Sequence, residues 1–220
     1  MFLKILSVTA IFAASTGIAL ASPVANLLNN LAVYGEYAGV TQSHGSSSGG
    51  IGGRLESYVD GFYGQADGSY TPGSLDQDSS GSSTDINLQL GYGLPIGKSL
   101  IIGPYLGYQY LGLTEQVAGY PLTFGNNSLG GGIFAAWCPA PRWGVQGHVG
   151  YLAGVSASVR DSEGLAIPLQ AANLLDFGGE VDYRVSGPWM VFAGFHYAHY
   201  MEAGQNLNLL RGVFGAGLRF

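Results

Sequence analysis

The chain of 220 residues is poor in charge, in cysteine and in long apolar runs. Charged residues make up 10% of it, whereas ordinary soluble domains carry about 25%. A single cysteine, Cys138, excludes a disulfide framework within the chain. The formal net charge is −6, and Lys98 is the only lysine after residue 4. This balance excludes the basic surface that nucleic-acid binding needs, so no nucleic-acid partner is expected.

Hydrophobic residues nevertheless make up 47% of the chain. No stretch beyond residue 21 contains the roughly 18 consecutive apolar residues of a membrane-spanning helix. A chain with so little charge needs an apolar environment for its outer surface. Strands that alternate apolar and polar residues meet this need without a long apolar run. The composition therefore favours an all-β fold, a membrane-spanning, up-and-down antiparallel β-barrel.

The N-terminus has the three parts of a secretory signal peptide. Lys4 supplies the positive start, residues 5–20 are mainly apolar, and Ala19-Leu20-Ala21 is a small-x-small cleavage site. We predict that residues 1–21 are removed on export and that residues 22–220 form a single barrel domain.

Alternation with a period of two is clearest in two segments. Odd positions from 143 to 159 are almost all apolar, and even positions are small or polar. Odd positions from 175 to 185 are apolar apart from Gly179, while four of the five even positions between them are charged. This is the pattern of strands with one face toward lipid and one toward the barrel interior.

Short and long connections alternate along the chain, as do the periplasmic turns and outer loops of bacterial barrels. From Asp85 onward, seven strands are predicted, and long polar connections are expected at 72–84, 114–126, 161–171 and 202–205, with a flexible Ser/Gly loop at 43–53. The predicted strands are 85–94, 100–113, 127–137, 142–160, 172–185, 189–201 and 206–220.

The number of strands depends on Asp60-Gly61, a strong signal for a two-residue hairpin turn. A turn there pairs Val59 with Phe62 and, with residues 31–42 as the first strand, makes ten strands. If Asp60-Gly61 is only a kink, the barrel has eight strands, a common size for small barrels. Ten strands are preferred because a single strand over 52–70 would mix apolar and polar residues on both faces.

Aromatic residues lie near the short turns on the predicted outer face, which is typical of an interfacial belt. The predicted belt consists of Phe62, Tyr92, Trp137, Trp143, Tyr183 and Trp189.

The predicted inner face carries most of the charge. Charges enclosed in a narrow barrel must be paired or solvated, so we expect an internal ion-pair network that fills the lumen. The alternative is a narrow, water-filled path that favours cations. The predicted lumen residues are Glu36, Arg54, Glu56, Asp67, His148, Asp176, Glu180, Asp182, Arg184, Arg211 and Arg219.

Two segments resemble known outer-membrane proteins. In GVFGAGLRF, Phe214, Leu218 and the terminal Phe220 alternate outward, and this resembles the closing strand that the barrel-assembly machinery reads. Residues 91–110, GYGLPIGKSLIIGPYLGYQY, resemble the strand-turn-strand units of the small barrels typified by OmpA, OmpX and OmpW. The resemblance implies integration in the cell outer membrane, with its lipid and lipopolysaccharide as partners. It also implies the assembly machinery and periplasmic chaperones as partners during biogenesis.

The predicted function is that of a non-enzymatic outer-membrane barrel with an envelope-structural or surface-interaction role and an unknown extracellular ligand. A small, weakly cation-selective pore is the alternative. A lipid A-modifying enzyme is a second alternative, because residues 196–204 resemble the His-x-Ser segment of lipid A deacylase barrels, with His196 at the histidine position. Ala198 replaces the serine nucleophile, so no catalytic residue is predicted. Omptin proteases resemble this chain in strand number but are much longer, and this sequence has no convincing acidic and histidine motif of their kind.

No metal or cofactor is predicted. The four histidines, His44, His148, His196 and His199, lie in separate segments without the spacing of a zinc site.

Overall fold

The computed structural model describes residues 23–40, 47–73, 81–117, 119–202 and 205–220. The predicted signal peptide lies outside these ranges, so its cleavage stays a prediction. None of the helices within them has the length and apolar character needed to cross a membrane.

Ten long antiparallel strands form one closed sheet. Neighbours along the chain pair with each other, and the ring closes where the first long strand pairs with the last. Two short strands, Leu94–Ile96 and Ala166–Leu169, each pair with one long strand only. The predicted up-and-down barrel is confirmed, with ten strands rather than eight. The elements are α1 Pro23–Leu27, β1 Asn30–Val40, β2 Ser47–Val59, β3 Phe62–Pro72, β4 Gly81–Tyr92, β5 Leu94–Ile96, β6 Leu100–Val117, β7 Tyr120–Ala140, β8 Trp143–Arg160, β9 Ala166–Leu169, β10 Asn173–Ser186, β11 Trp189–Glu202 and β12 Gln205–Arg219.

The β2–β3 turn decides the strand number. Asp60 and Gly61 have φ angles of 52° and 91°, the left-handed values that a type I′ hairpin turn requires and that Asp-Gly tolerates. The register that follows from this turn is the predicted one. It pairs Val59 with Phe62, Glu56 with Gln65, Leu55 with Ala66, Arg54 with Asp67 and Ile51 with Tyr70.

The distribution of polarity is the reverse of that in a soluble protein. Large apolar side chains cover the outside, and Leu106 and Phe214 are each 72% exposed. Charged side chains lie inside, where Asp176 is 1% exposed and Asp182 is 0% exposed. An outer surface of this kind is stable only against lipid.

The barrel has a short-turn end and a long-loop end. The turns at 60–61, 97–99, 141–142 and 187–188 lie at the short-turn end, as do both ends of the described chain. In outer-membrane barrels the short turns are periplasmic and the longer connections are extracellular.

Three strands extend far beyond the length needed to cross a membrane. β6, β7 and β8 contain 18, 21 and 18 residues, whereas a spanning strand needs about 9–11. The prediction of a long loop at 114–126 is wrong, because β6 and β7 continue to pair with each other as far as Val117 and Tyr120. The loop prediction for 43–53 is wrong from Ser47 onward, where β2 begins. β9 also forms inside the predicted 161–171 connection.

The N-terminal plug, residues 23–28, packs inside the short-turn end of the barrel. Val24, Leu27 and Leu28 are at most 1% exposed, and they pack in one apolar cluster. A Cβ atom on Gly144 would lie 2.2 Å from Leu27 Cδ1, so any larger residue there would displace the Leu27 side chain. The apolar cluster that contains Val24, Leu27 and Leu28 is called the short-turn cluster. Its other members are Tyr63, Ile101, Tyr105, Phe134 and Ala136, and Tyr58 and Cys138 pack against it.

A change in the plug should expose Cys138. In Leu27→Asp a carboxylate would be buried in an apolar cluster, which costs several kcal/mol, so the plug should leave the barrel mouth. We expect a charged maleimide to label Cys138 at least about tenfold faster, since each ~1.4 kcal/mol lost from plug docking multiplies the open population tenfold. The measurement is the labelling rate of the folded protein in detergent micelles.

The matched control is Leu27→Met, which keeps the side-chain volume and polarity. It should label at the rate of the unchanged protein. Equal labelling rates for Leu27→Asp and Leu27→Met would show that the plug does not shield this end of the barrel.

Candidate functional site

The interior has apolar clusters near its two ends with a polar layer between them. The short-turn cluster lies on the side of this polar layer that faces the short turns. On its other side, toward the long-loop end, lies the long-loop cluster, in which Leu111, Leu174 and Leu209 are at most 1% exposed. The polar layer surrounds a cavity of about 100 Å³, which is room for several water molecules. The other members of the long-loop cluster are Ala38, Leu152, Ala172, Ala198 and Tyr200, with Leu113 and Leu207 against it.

A bidentate ion pair crosses the lumen from β2 to β10. Arg54 Nη1 and Nη2 lie 2.5 and 2.6 Å from the two carboxylate oxygens of Glu180. Gln146 Nε2 donates a second hydrogen bond to Glu180 Oε1 at 3.1 Å. The Arg54 guanidinium also lies 4.7 Å from the centroid of the Phe192 ring. Arg54 and Glu180 are each 8% exposed, so both charges depend on this contact.

Glu56 links this pair to the short-turn end. Its Oε2 lies 3.8 Å from Arg54 Nε and accepts a 2.5 Å hydrogen bond from Asn30 Nδ2. The hydroxyl of Tyr63 donates to Glu56 Oε1 at 3.4 Å. Asn30 also donates to the carbonyl oxygen of Leu27, so the network is linked directly to the plug.

A second ion pair joins β4 and β12. Arg211 Nη2 lies 3.0 Å from Asp85 Oδ2, which also accepts a hydrogen bond from Gln109 Nε2 at 2.8 Å. Asp85 and Arg211 are 3% and 5% exposed. Asp85 was not among the predicted lumen residues, although its alternation with Ser83, Asn87 and Gln89 would have placed it inside.

A third group consists of two histidines around one carboxylate. Asp176 Oδ2 lies 3.1 Å from His148 Nε2, and Asp176 Oδ1 lies 2.5 Å from His196 Nε2. The two imidazole rings are 5.6 Å apart between centroids. His148 and His196 line the cavity. His196 was not predicted as a lumen residue, and only the barrel register brings it to His148.

The other predicted lumen residues also lie inside but have other surroundings. The hydroxyl of Thr71 donates to Glu36, and the hydroxyl of Tyr34 donates to Asp67 Oδ1 at 2.8 Å. Asp182, Arg184 and Arg219 are at least partly buried near the short-turn end. Among the described residues, no group lies within 4.0 Å to form an ion pair with any of these five.

Inward glycines make room for large side chains, and little of that room is left open. A Cβ on Gly150 would lie 2.2 Å from the hydroxyl oxygen of Tyr105, and one on Gly132 would lie 2.7 Å from the same ring. A Cβ on Gly52 would lie 2.2 Å from the ring of Tyr34. Glycine at these positions therefore lets tyrosines lie flat across the lumen.

The aromatic residues of the predicted belt lie on the outer face at the short-turn end. Trp137, Trp143 and Trp189 are 48%, 48% and 58% exposed. Phe62 packs edge-on against Tyr92 at 5.4 Å, and Trp143 lies 4.9 Å from Tyr183. Paired aromatic rings at one height are suited to a membrane interface.

The C-terminal strand presents its alternating residues outward. Phe214, Leu218 and Phe220 are 72%, 37% and 51% exposed. The backbone N–H of Phe220 donates to the carbonyl oxygen of Asn29 at 3.1 Å. Recognition of these residues by the assembly machinery stays a prediction.

The segment that resembles lipid A deacylases does not face lipid with its histidine. His196 points into the lumen toward Asp176, and Ala198 is 1% exposed within the long-loop cluster. An acyl chain outside the barrel therefore cannot reach the His196 imidazole without passing through the barrel wall.

No protein-family model matches the chain, and no curated protein matches it either. Several solved structures do. The outer-membrane protease OmpT from Escherichia coli matches with a TM-score of 0.55 at 12% identity, over 87% of this chain and 95% of OmpT. The translocator domain of the autotransporter NalP from Neisseria meningitidis has a TM-score of 0.48 at 12% identity, over 99% and 95% of the two chains. Neisserial surface protein A has a TM-score of 0.43 at 14% identity, over 87% and 96%.

Identity this low shows the fold alone and carries no activity from one protein to the other. The match to OmpT agrees with the closed ten-stranded ring and with the apolar outer surface. Both features support a location in the outer membrane. The chain therefore has the fold of the small outer-membrane β-barrel proteins.

Proposed function

We propose that this protein is a non-enzymatic, non-conducting barrel whose role is carried out by its outer surface and its long-loop end, either as an envelope-structural element or in surface interaction. The observation that carries the proposal is the filled interior. The plug and the short-turn cluster pack inside one end, and the long-loop cluster packs near the other. Between them, ion pairs join strands that are not neighbours in the barrel wall.

The long-loop end supports a role in surface interaction. The outer parts of β6, β7 and β8, with β9 beside them, extend past the membrane. Tyr120, Leu165 and Ile167 are 69%, 66% and 56% exposed there. Exposed apolar residues at the tip of such an extension are suited to contact with another molecule. Lipid and lipopolysaccharide around the barrel, and the assembly machinery during biogenesis, remain the proposed partners.

A weakly cation-selective pore is the second candidate, and one observation favours it. The cavity is lined by five carboxyl groups, those of Glu36, Glu56, Asp67, Asp85 and Glu180, but by only two guanidinium groups, those of Arg54 and Arg211. Such a lining attracts cations. The apolar clusters above and below the cavity oppose passage of ions, since dry apolar constrictions exclude charge.

Planar-bilayer recording of the refolded protein tests the proposal. We expect no stepwise openings, because an ion would have to cross two apolar clusters. Leu27→Asp should also stay closed, since it releases only the plug and leaves the long-loop cluster intact. Regular conductance steps with cation preference in the unchanged protein would establish the pore instead. Lipid A mass profiles from cells with and without the protein test the enzyme, and an altered acyl content would overturn the non-enzymatic role.

A further inference from the structure

The group formed by His148, Asp176 and His196 has no part in the proposed function. It lies on three neighbouring strands, β8, β10 and β11. The register pairs Gly178 with His148 on one side and with His196 on the other. Because Gly178 has no side chain, the two imidazoles meet across it, and Asp176 lies two residues further along the same face of β10. A Cβ on Gly178 would lie 2.8 Å from His148 Cε1 and 3.3 Å from His196 Cδ2.

The three side chains bring possible ligand atoms close together. One ring nitrogen of each histidine and one carboxylate oxygen all lie within 4.8 Å of one another. Asp176 is 1% exposed, so its carboxylate is almost completely removed from solvent. Asp176 Oδ1 lies 2.5 Å from His196 Nε2, and Asp176 Oδ2 lies 3.1 Å from His148 Nε2, so each carboxylate oxygen contacts one imidazole nitrogen. A divalent cation would replace this contact, with the nitrogen and oxygen atoms moving apart to bind it from different directions.

The charge of the surrounding cavity also favours a cation. Its lining contains five carboxyl groups against two guanidinium groups, before Asp176 is counted. The guanidinium nearest to His196 along the barrel wall belongs to Arg211, which pairs with His196 in the sheet register and is engaged by Asp85 at 3.0 Å. Enclosed negative charge in excess is costly unless a proton or a metal ion offsets it.

We propose that His148, Asp176 and His196 bind a divalent transition-metal ion of the Zn²⁺ type inside the barrel. Two imidazole nitrogens and one carboxylate oxygen are a ligand set that Zn²⁺ accepts, with a fourth position left for water. Mg²⁺ and Ca²⁺ are not expected, since they prefer six or more oxygen ligands. His148 and His196 both line the cavity, which has room for a water molecule or a small anionic ligand beside the ion. The proposal departs from the sequence-based expectation of no metal site, and it goes beyond the proposed function.

Metal binding by the untagged, full mature chain in detergent micelles tests the proposal. After treatment with a chelator, Zn²⁺ is titrated in competition with a chromophoric chelator, and bound metal is counted by mass spectrometry. We expect one Zn²⁺ per barrel. His196→Ala and Asp176→Asn should each weaken binding at least about tenfold, because even outer-shell changes cost about 10–100-fold in metal affinity. Zn²⁺ should also raise the urea midpoint of the unchanged protein but not of these variants.

His199→Ala is the matched control. His199 lies on the same strand as His196 but contacts Asn208 instead of Asp176, so its loss should leave the affinity unchanged. Asp176→Asn keeps the side-chain volume, so it tests the site even if His196→Ala fails to fold. Zn²⁺ binding equal in Asp176→Asn and the unchanged protein would overturn the proposal, as would no stoichiometric binding at all. Either result would leave Asp176 as a structural hydrogen-bond acceptor between two histidines.

Discussion

Replacing Glu180 with leucine is expected to lower the free energy of unfolding by about 3–5 kcal/mol, the usual cost of removing one partner of a buried ion pair. Glu180 holds Arg54 through two contacts of 2.5 and 2.6 Å, and both residues are 8% exposed. In the variant, Arg54 keeps only the 3.8 Å contact to the Glu56 carboxylate and its position over the Phe192 ring. Most of its buried charge is then uncompensated.

Urea unfolding of the protein in lipid vesicles measures this loss. Val181→Leu is the control, because Val181 is the next residue along β10, faces lipid and is 43% exposed. Its urea midpoint should stay near that of the unchanged protein. Equal midpoints for Glu180→Leu and Val181→Leu would show that the two faces are assigned wrongly.

The double variant Arg54→Leu with Glu180→Leu separates the cost of an unpaired charge from the value of the pair. Replacing both partners of a buried pair with apolar residues is often close to neutral. The double variant should therefore be more stable than Glu180→Leu alone. Arg184→Leu should cost less than Glu180→Leu, since within the described structure Arg184 has no carboxylate within 4.0 Å.

Replacing Leu106 with arginine should destabilise the barrel by about 2–4 kcal/mol, the cost of a lipid-facing arginine at the bilayer midplane. Leu106 is 72% exposed and lies six residues from the start of β6 at Leu100. Leu100 pairs with Trp137 of the aromatic belt. At the rise and tilt of a barrel strand, six residues reach roughly the middle of the apolar band.

Depth is the variable that the matched control changes. Ile96 is 54% exposed and lies at the short-turn end, near the belt, so Ile96→Arg should cost only about 0–1 kcal/mol. Both variants are compared by urea midpoint in the same vesicles. If Ile96→Arg cost as much as Leu106→Arg, the outer face would not be graded by membrane depth.

Local rules were enough to predict the barrel wall. Asp60-Gly61 specified a turn because a type I′ turn requires positive φ at both central positions, and this dipeptide tolerates it. The turn then fixed the register of β2 and β3. Alternation specified which residues point inward, since a strand has a period of two. The same rule explains why Glu180 and Asp182 lie inside while Val181 lies outside.

Loop lengths and the lumen cluster were harder to predict from local rules. Residues 114–126 contain polar residues typical of a loop, but outside the membrane polar residues are equally acceptable on an extended hairpin. His148, Asp176 and His196 are far apart along the chain, and no spacing motif joins them. Their contact depends on the relative register of three strands and on the absence of a side chain at Gly178.

The sequence by itself determined an inverted polarity and, through one turn, a ring of ten strands, because both follow from periodicity and backbone conformation over a few residues. Only the tertiary structure decided what fills the ring. The plug, the two apolar clusters and the pairing of Arg54 with Glu180 join residues that are distant along the chain. Closure of the barrel sets those distances, and no local pattern encodes them.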